Sequence, residues 1–227
     1  MRTLFRKNEN EMGAIGIGAM IVFIAMVLVA GIAASVLIST ANTVQIQAQQ
    51  TGQQTTQGVA SGIEVFEIIG KVNYTGGTYY DLKYLVITVK ARPGSPNIDL
   101  NNTYILFSDG DTKALLRYEG NTFKDDISGD LFGALNDVEW NTSDRESFAI
   151  GVLQDFDNTM TVGNPVINRG DKAALFIRCS PDENGTFGQE IPERTDVYGR
   201  IIPEIGAPGV ISFTTPMSYS ADIYKLQ

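Results

Sequence analysis

AIGIGAMIVFIAMVLVAGIAASVLI, residues 14–38, contains one polar side chain, Ser35, in 25 positions. As a helix rising about 1.5 Å per residue it is roughly 37 Å long, enough to cross a hydrocarbon core of about 30 Å. The exclusion of charge reaches further than the apolar run, since no residue from Ala14 to Ile63 is charged. Before it, MRTLFRKNENEMG carries Arg2, Arg6 and Lys7, cations that keep this flank in the cytoplasm. A charge is expensive in lipid or in a packed apolar bundle, so 50 consecutive uncharged positions mark a segment that lives in such a medium.

The order of the flanks carries information. A secretory signal has an apolar region of only about 7–15 residues with its small-residue cleavage site after it. Here the apolar run is longer, and the small residues of Met12-Gly13-Ala14 precede it. A cut between Gly13 and Ala14 removes the charged leader and leaves the hydrophobic helix as the new N-terminus. Residues 39–62, STANTVQIQAQQTGQQTTQGVASG, are uncharged and contain seven glutamines. They read as a flexible polar linker or as a continuation of the helix. Recurring Val44, Ile46, Ala48, Val59 and Ile63, with glutamine a good helix former, favour continuation, whereas Gly52, Gly58 and Gly62 each weaken it by up to about 1 kcal/mol. The expected organisation is a leader over 1–13, a helix over 14–66 that is membrane-like in its first half and amphipathic in its second, and a second domain over 67–227.

That second domain has the period of strands. In 83–90, KYLVITVK, alternation places Leu85, Ile87 and Val89 on one face; in 171–179, DKAALFIRC, it does so for Ala173, Leu175, Ile177 and Cys179. Further strand candidates are 103–107, 114–118, 147–153, 197–202 and 210–214. Asp109-Gly110, Ser128-Gly129, Arg169-Gly170 and Asn184-Gly185 punctuate them as turns. Seven or so strands with little helical periodicity predict an antiparallel β-sandwich, Ig-like in type. The fold class is therefore α+β, a long N-terminal hydrophobic helix followed by that sandwich.

Composition excludes much chemistry. The 227 residues include no histidine, which removes Ser-His and Cys-His nucleophile pairs. One cysteine, Cys179, makes neither an intramolecular disulfide nor a Cys-rich zinc site. A net charge of −9 with no basic stripe argues against nucleic acid. No catalytic residue, cofactor or metal is expected.

The segment GAIGIGAMIVFIAMVLVAGIAASVLISTANTVQIQAQQTGQQTTQGVASGIEV, residues 13–65, closely resembles the N-terminal signature of the archaellins, or archaeal flagellins, which are type IV pilin-like filament subunits. SDGDTKALLRY, residues 108–118, is similar to archaellin globular sequence, a weaker marker. Bacterial type IV pilins carry a glutamate at the fifth mature position, where this chain has Gly18. The resemblance implies a structural subunit of the archaellum, the rotating swimming filament on the cell surface, from a precursor held in the cytoplasmic membrane. It implies cleavage between Gly13 and Ala14 by a prepilin-type membrane aspartyl peptidase, and assembly by a cytoplasmic ATPase and a polytopic membrane platform. The partners are then copies of the chain and other archaellins. Ile17, Ile21, Phe23, Ile24, Val27 and Leu28 would pack in the filament core, where Gly16, Gly18, Gly31, Ala33 and Ala34 permit close helix approach.

Two other readings compete, an archaeal adhesive pilin and a membrane-anchored extracellular β-domain with an uncut leader. Outside the helix, Asn73, Asn101, Asn141 and Asn184 each begin an Asn-x-Ser/Thr sequon, the pattern of N-glycosylation. Asp109 with Asp111, Asp125 with Asp126 and Asp130, and Asp155 with Asp157 form acidic groups, none of them a complete EF-hand loop; they read as solvated turn acids. Arg169-Gly170-Asp171 looks like an adhesion tripeptide but sits where a turn precedes a strand.

Overall fold

The computed structural model describes residues 2–127, 129–133, 146–179, 186 and 189–227. It divides into two compact units, residues 1–54 and 55–227. The first is helix alone. Helix α1, Arg2–Ala60, runs unbroken through Gly52 and Gly58. Its short hydroxyl side chains are satisfied locally, Thr40 Oγ1 donating to the Val36 carbonyl (2.8 Å) and Thr43 Oγ1 to that of Ser39 (3.0 Å). Such back-bonding keeps polar residues compatible with an apolar surrounding.

The helix ends at Ala60, short of the expected position 66, and the first strand starts at Ile63. Local propensity loses here to tertiary capture of the backbone. The Gln57 carbonyl takes both the amide and the hydroxyl of Ser61. The Ser61 carbonyl then accepts from Ala207 N (2.8 Å), Gly62 N donates to Ser95 Oγ (2.9 Å), and the Gly62 carbonyl accepts from Arg92 N (2.9 Å).

The second unit contains strands β1 (Ile63–Thr75), β2 (Thr78–Ala91), β3 (Ile98–Asp99), β4 (Tyr104–Ser108), β5 (Lys113–Lys124) and β6 (Ser147–Gln154). β7 (Val166–Ile167), β8 (Lys172–Arg178), β9 (Asp196–Ile202), β10 (Gly209–Thr214) and β11 (Ile223–Lys225) follow. Nine of these form one sheet in the order β10-β9-β4-β5-β6-β8-β2-β1-β11, and β3 pairs with β7. All seven sequence-based strands coincide with observed ones, two of them overrunning: 171–179 extends one residue beyond each end of β8, and 103–107 starts one residue before β4. β1 and the short β3, β7 and β11 were not foreseen. β1 and β2 are joined through Gly76 (φ 63°) and Gly77 (φ 91°), the positive dihedrals that a two-residue type I′ hairpin demands.

The α+β class holds, and the two layers of the sandwich are one sheet curled onto itself. β10 returns against β1, with a bridge between Gly62 and Ala207. Pairing is antiparallel throughout the nine-stranded sheet except between β5 and β6, which run parallel. The shared core takes Ile105, Phe107, Leu116 and Ile201 from one half, and Leu85, Ile87, Ile150 and Leu175 from the other. Ile98, Leu100 and Ile167 of the β3–β7 region add to it. A smaller cluster lies on the outward side of β2, β6 and β8, where Val86, Ala149, Ala174 and Phe176 are buried with Phe132.

Candidate assembly surface

Every described position of α1 from Ile15 to Val59 is exposed, and its most apolar 18-residue window has a mean hydropathy of 3.0. The six positions expected to pack in a filament core are among these exposed residues. Ile24 and Val27 are each 53% exposed, and Ile17, Ile21, Phe23 and Leu28 are more so. Burying a leucine-sized side chain contributes about 1.5–3 kcal/mol, so covering this segment is worth tens of kcal/mol. By length and composition the helix is able to cross a membrane.

Gly13, at the proposed cut, is exposed, and nothing lies within 4 Å of a Cβ built on it. Gly16, Gly18 and Gly31 are equally open, so their small size answers no contact inside this chain.

The sequons differ in presentation. Asn101 is exposed on the turn between β3 and β4, its amide donating to Asp99 Oδ1 (2.8 Å) while Thr103 Oγ1 donates to the Asp99 carbonyl (2.9 Å). Asn73, near the tip of the β1–β2 hairpin, is half-buried, and its Nδ2 donates to Glu190 Oε1 (2.9 Å). Asn141 and Asn184 lie outside the described residues.

The acidic groups are mostly turn builders. Asp109 is buried in the β4–β5 turn, where Oδ1 accepts from Thr112 N (2.7 Å), Thr112 Oγ1 (3.0 Å) and Asp111 N (3.1 Å). Burial pushes its pKa up, but these bonds and one from the Gln189 side chain outweigh it, and the net shift is downward. Asp130 accepts from Phe132 N (3.1 Å), whereas Asp125 and Asp126 are exposed.

Sequence spacing did not reveal that Asp171 joins Asp155 and Asp157, with one carboxylate oxygen of each within 4.8 Å of the others. Among the described residues this is the group whose donors lie close enough to share one hard cation. Its oxygens are largely used by the loop itself. Asp171, only 1% exposed, accepts from Phe156 N (3.1 Å) and Asn168 N (3.0 Å). Asp157 takes the Thr159 hydroxyl (2.7 Å) and Asn168 Nδ2 (2.7 Å), the former being the main reason its pKa is lowered. The burial of Asp171 also removes it from any role as an adhesion tripeptide. Cys179 is fully buried, and burial raises its thiol pKa, as suits an inert core residue.

Known proteins show the same combination of helix and curled sheet. Residues 13–213 match the family described as archaeal-type flagellin. The chain is 42% identical to flagellin B2 of Methanocaldococcus jannaschii over 226 residues, spanning 99% of each. It is 41% identical to flagellin B4 of Pyrococcus abyssi over 218 residues, 96% of this chain and 100% of that one. Among solved structures, the crystal structure of archaeal flagellin FlaB1 from M. jannaschii superposes with a TM-score of 0.61 at 32% identity, covering 74% of this chain and 98% of that one. The archaeal flagellum of Methanospirillum hungatei shares the fold over 93% of this chain and 98% of its own, with a TM-score of 0.57 at 17% identity. The family match and the full-length relatives span the exposed helix and the sheet together, and on them the chain belongs to the archaeal-type flagellin family.

Proposed function

We propose that α1 is the assembly element of this subunit and that residues 1–13 are a leader removed before it acts. The chain is a structural subunit of the archaellum filament, extracellular when assembled, and not an enzyme. The family favours this role over an adhesive pilin or an anchored β-domain. The single observation behind the proposal is a helix uncharged from Ala14 onward and exposed at every described position from Ile15 to Val59, attached to a unit that already has a closed core.

A lone subunit cannot leave the bilayer, because its apolar helix would meet water at a cost of tens of kcal/mol. Extraction becomes tolerable when the same surface is reburied against α1 of neighbouring copies, Ile17, Ile21, Phe23, Ile24, Val27 and Leu28 forming the packed positions. The filament core then replaces lipid as the apolar solvent. A prepilin-type peptidase cutting between Gly13 and Ala14 sheds Arg2, Arg6 and Lys7, charges that a bundle core would not accept. An assembly ATPase and a membrane platform supply the work of extraction. The unit over 67–227, with β1 added at its start, forms the outer wall, where Asn101 is the most exposed described sequon for a glycan; Asn73, Asn141 and Asn184 are further candidates.

Intact mass and N-terminal sequencing of filaments sheared from cells test this reading. A chain beginning at Ala14, with extra mass on sequon peptides, is the expected result. Residues 1–13 retained in assembled filaments would overturn the leader assignment, and a chain confined to membranes would overturn the assembly role.

A further inference from the structure

The curled sheet has two outward apolar faces, and the chain treats them differently. On β2, β6 and β8 the outward Val86, Ala149, Ala174 and Phe176 are covered by Phe132, with Ile127 and Leu131 packed alongside. On β10, β9, β4 and β5 the outward set is Val210, Tyr198, Ile202, Tyr104, Leu106 and Leu115, each 39–58% exposed. Pairing makes them contiguous. Val210 lies opposite Arg200, Arg200 opposite Leu106, and Leu106 opposite Leu115; beside that row, Ile202 faces Tyr104. Among the described residues nothing covers this face.

Its charge is also opposite to that of the chain. Lys113, Arg117 and Arg200 project from the same side, in a protein of net charge −9. Arg117 pairs with Glu119 at 3.2 Å, but Lys113 and Arg200 have no carboxylate partner among the described residues. The acids on the outward side are Glu119, which holds Arg117, and Asp196 at one end, bonded by Thr214 Oγ1 at 2.6 Å. Away from this face, the loops around Asp125, Asp126 and Asp157 are exposed and acidic and carry Phe156, which is 83% exposed.

We propose that the outward face of β10-β9-β4-β5 is an interface between globular units, seating the acidic loop edge of a neighbouring copy. The inference rests on the filament role above and adds a second contact, separate from the helices. An apolar face that carries Lys113 and Arg200, two cations without a carboxylate partner among the described residues, suits a neighbour that offers exposed apolar side chains among carboxylates, and every copy presents both surfaces. Because the two patches are different, the contact is heterologous and propagates instead of closing into a dimer, as a helical filament requires.

Thiol labelling of filaments tests the face. Cys179 is buried, so a cysteine introduced by Val210→Cys is the accessible one in the chain. In sheared filaments it should react with a maleimide at least about tenfold more slowly than in the detergent-solubilised chain, as a position inside an interface does. Met217→Cys, at an exposed site away from these strands, should be slowed much less. Unchanged labelling of Val210→Cys, or equal slowing at both sites, overturns the proposal. If Val210→Cys does not assemble, oxidative footprinting of Tyr198 in wild-type filaments reads the same face: protection supports the interface and unchanged oxidation overturns it. Protection already present in the solubilised chain and lost in Asn101→Gln identifies the chain's own glycan as the cover, which also overturns it. The arms compare assembled filaments with the solubilised chain, so filaments are already in hand when a negative result removes this interface, and the filament role is left intact.

Discussion

Ile24 and Val27 in α1 are each 53% exposed, whereas Leu85 and Ile87 in β2 are fully buried. The side chains are of one chemical kind; the geometry of their backbones separates their fates. Alternate residues of a strand point to a common side, so a sheet that curls can enclose its own apolar face within one chain. A straight helix that is apolar all round has nothing of its own to fold onto, and only lipid or other helices can cover it. Stability therefore resides in one region and assembly in the other, and substitutions should separate them.

Ile24→Glu should have the largest effect and confine it to assembly. A charge in the middle of an apolar helix costs about 2.5–3.5 kcal/mol even on the lenient scale of membrane insertion, and in a bundle every copy bears it. The expected outcome is loss of filaments by electron microscopy with an unchanged melting temperature for the globular unit. Normal filaments would show that α1 is not packed at Ile24. Phe148→Ala breaks the comparison from the other side. Phe148 is fully buried between the halves of the curled sheet, and its truncation should cost about 3–5 kcal/mol. Calorimetry of the detergent-solubilised chain should show the loss, while the protein still partitions to membranes through α1.

The same contrast explains what the sequence disclosed. The helix was legible because exclusion of charge over 50 positions is a strong and local signal. Seven strands were legible because their alternation is regular. β1 was not: its register slips between Val65 and Glu67, between Lys71 and Val72, and between Val72 and Tyr74, and each bulge resets the phase that alternation depends on. Strand order was invisible too, since no local pattern records that β5 pairs in parallel with β6. At the candidate surface, exposure of the helix was foreseen, while the meeting of Asp171 with Asp155 and Asp157 needs a loop path that spacing does not encode. The bare outward face carries a signal in the sequence: Leu106, Leu115, Tyr198 and Val210 are apolar where alternation calls for polar residues.

Gly206→Ala probes the junction where the helical region gives way to the sheet. Gly206 has φ +101°, and a Cβ there would sit 2.5 Å from the Ser61 carbonyl carbon and oxygen. Left-handed strain plus that clash should cost about 1–3 kcal/mol. Because the clash falls on the segment that ends α1, hydrogen exchange at Ala207 N, which donates to the Ser61 carbonyl, should accelerate before global unfolding does. Exchange at the wild-type rate would mean that the end of α1 is set by its own sequence.

Asp109→Asn should have the smallest effect and the most specific signature. The folded chain lowers the Asp109 pKa below its ordinary value of 3.8, so the unfolded state binds this proton more readily. The resulting stabilisation is present above that ordinary value and is lost as pH falls through the lowered folded value. Asparagine keeps the acceptor oxygen for Thr112 and Asp111 but not the charge, so the loss at neutral pH should be only about 1 kcal/mol. The decisive reading is the slope. Below about pH 4 the wild-type melting temperature should fall more steeply than that of the variant, and the two curves should converge as Asp109 becomes protonated. Parallel curves would mean that the β4–β5 turn is held by its hydrogen-bond geometry and gains nothing from the charge.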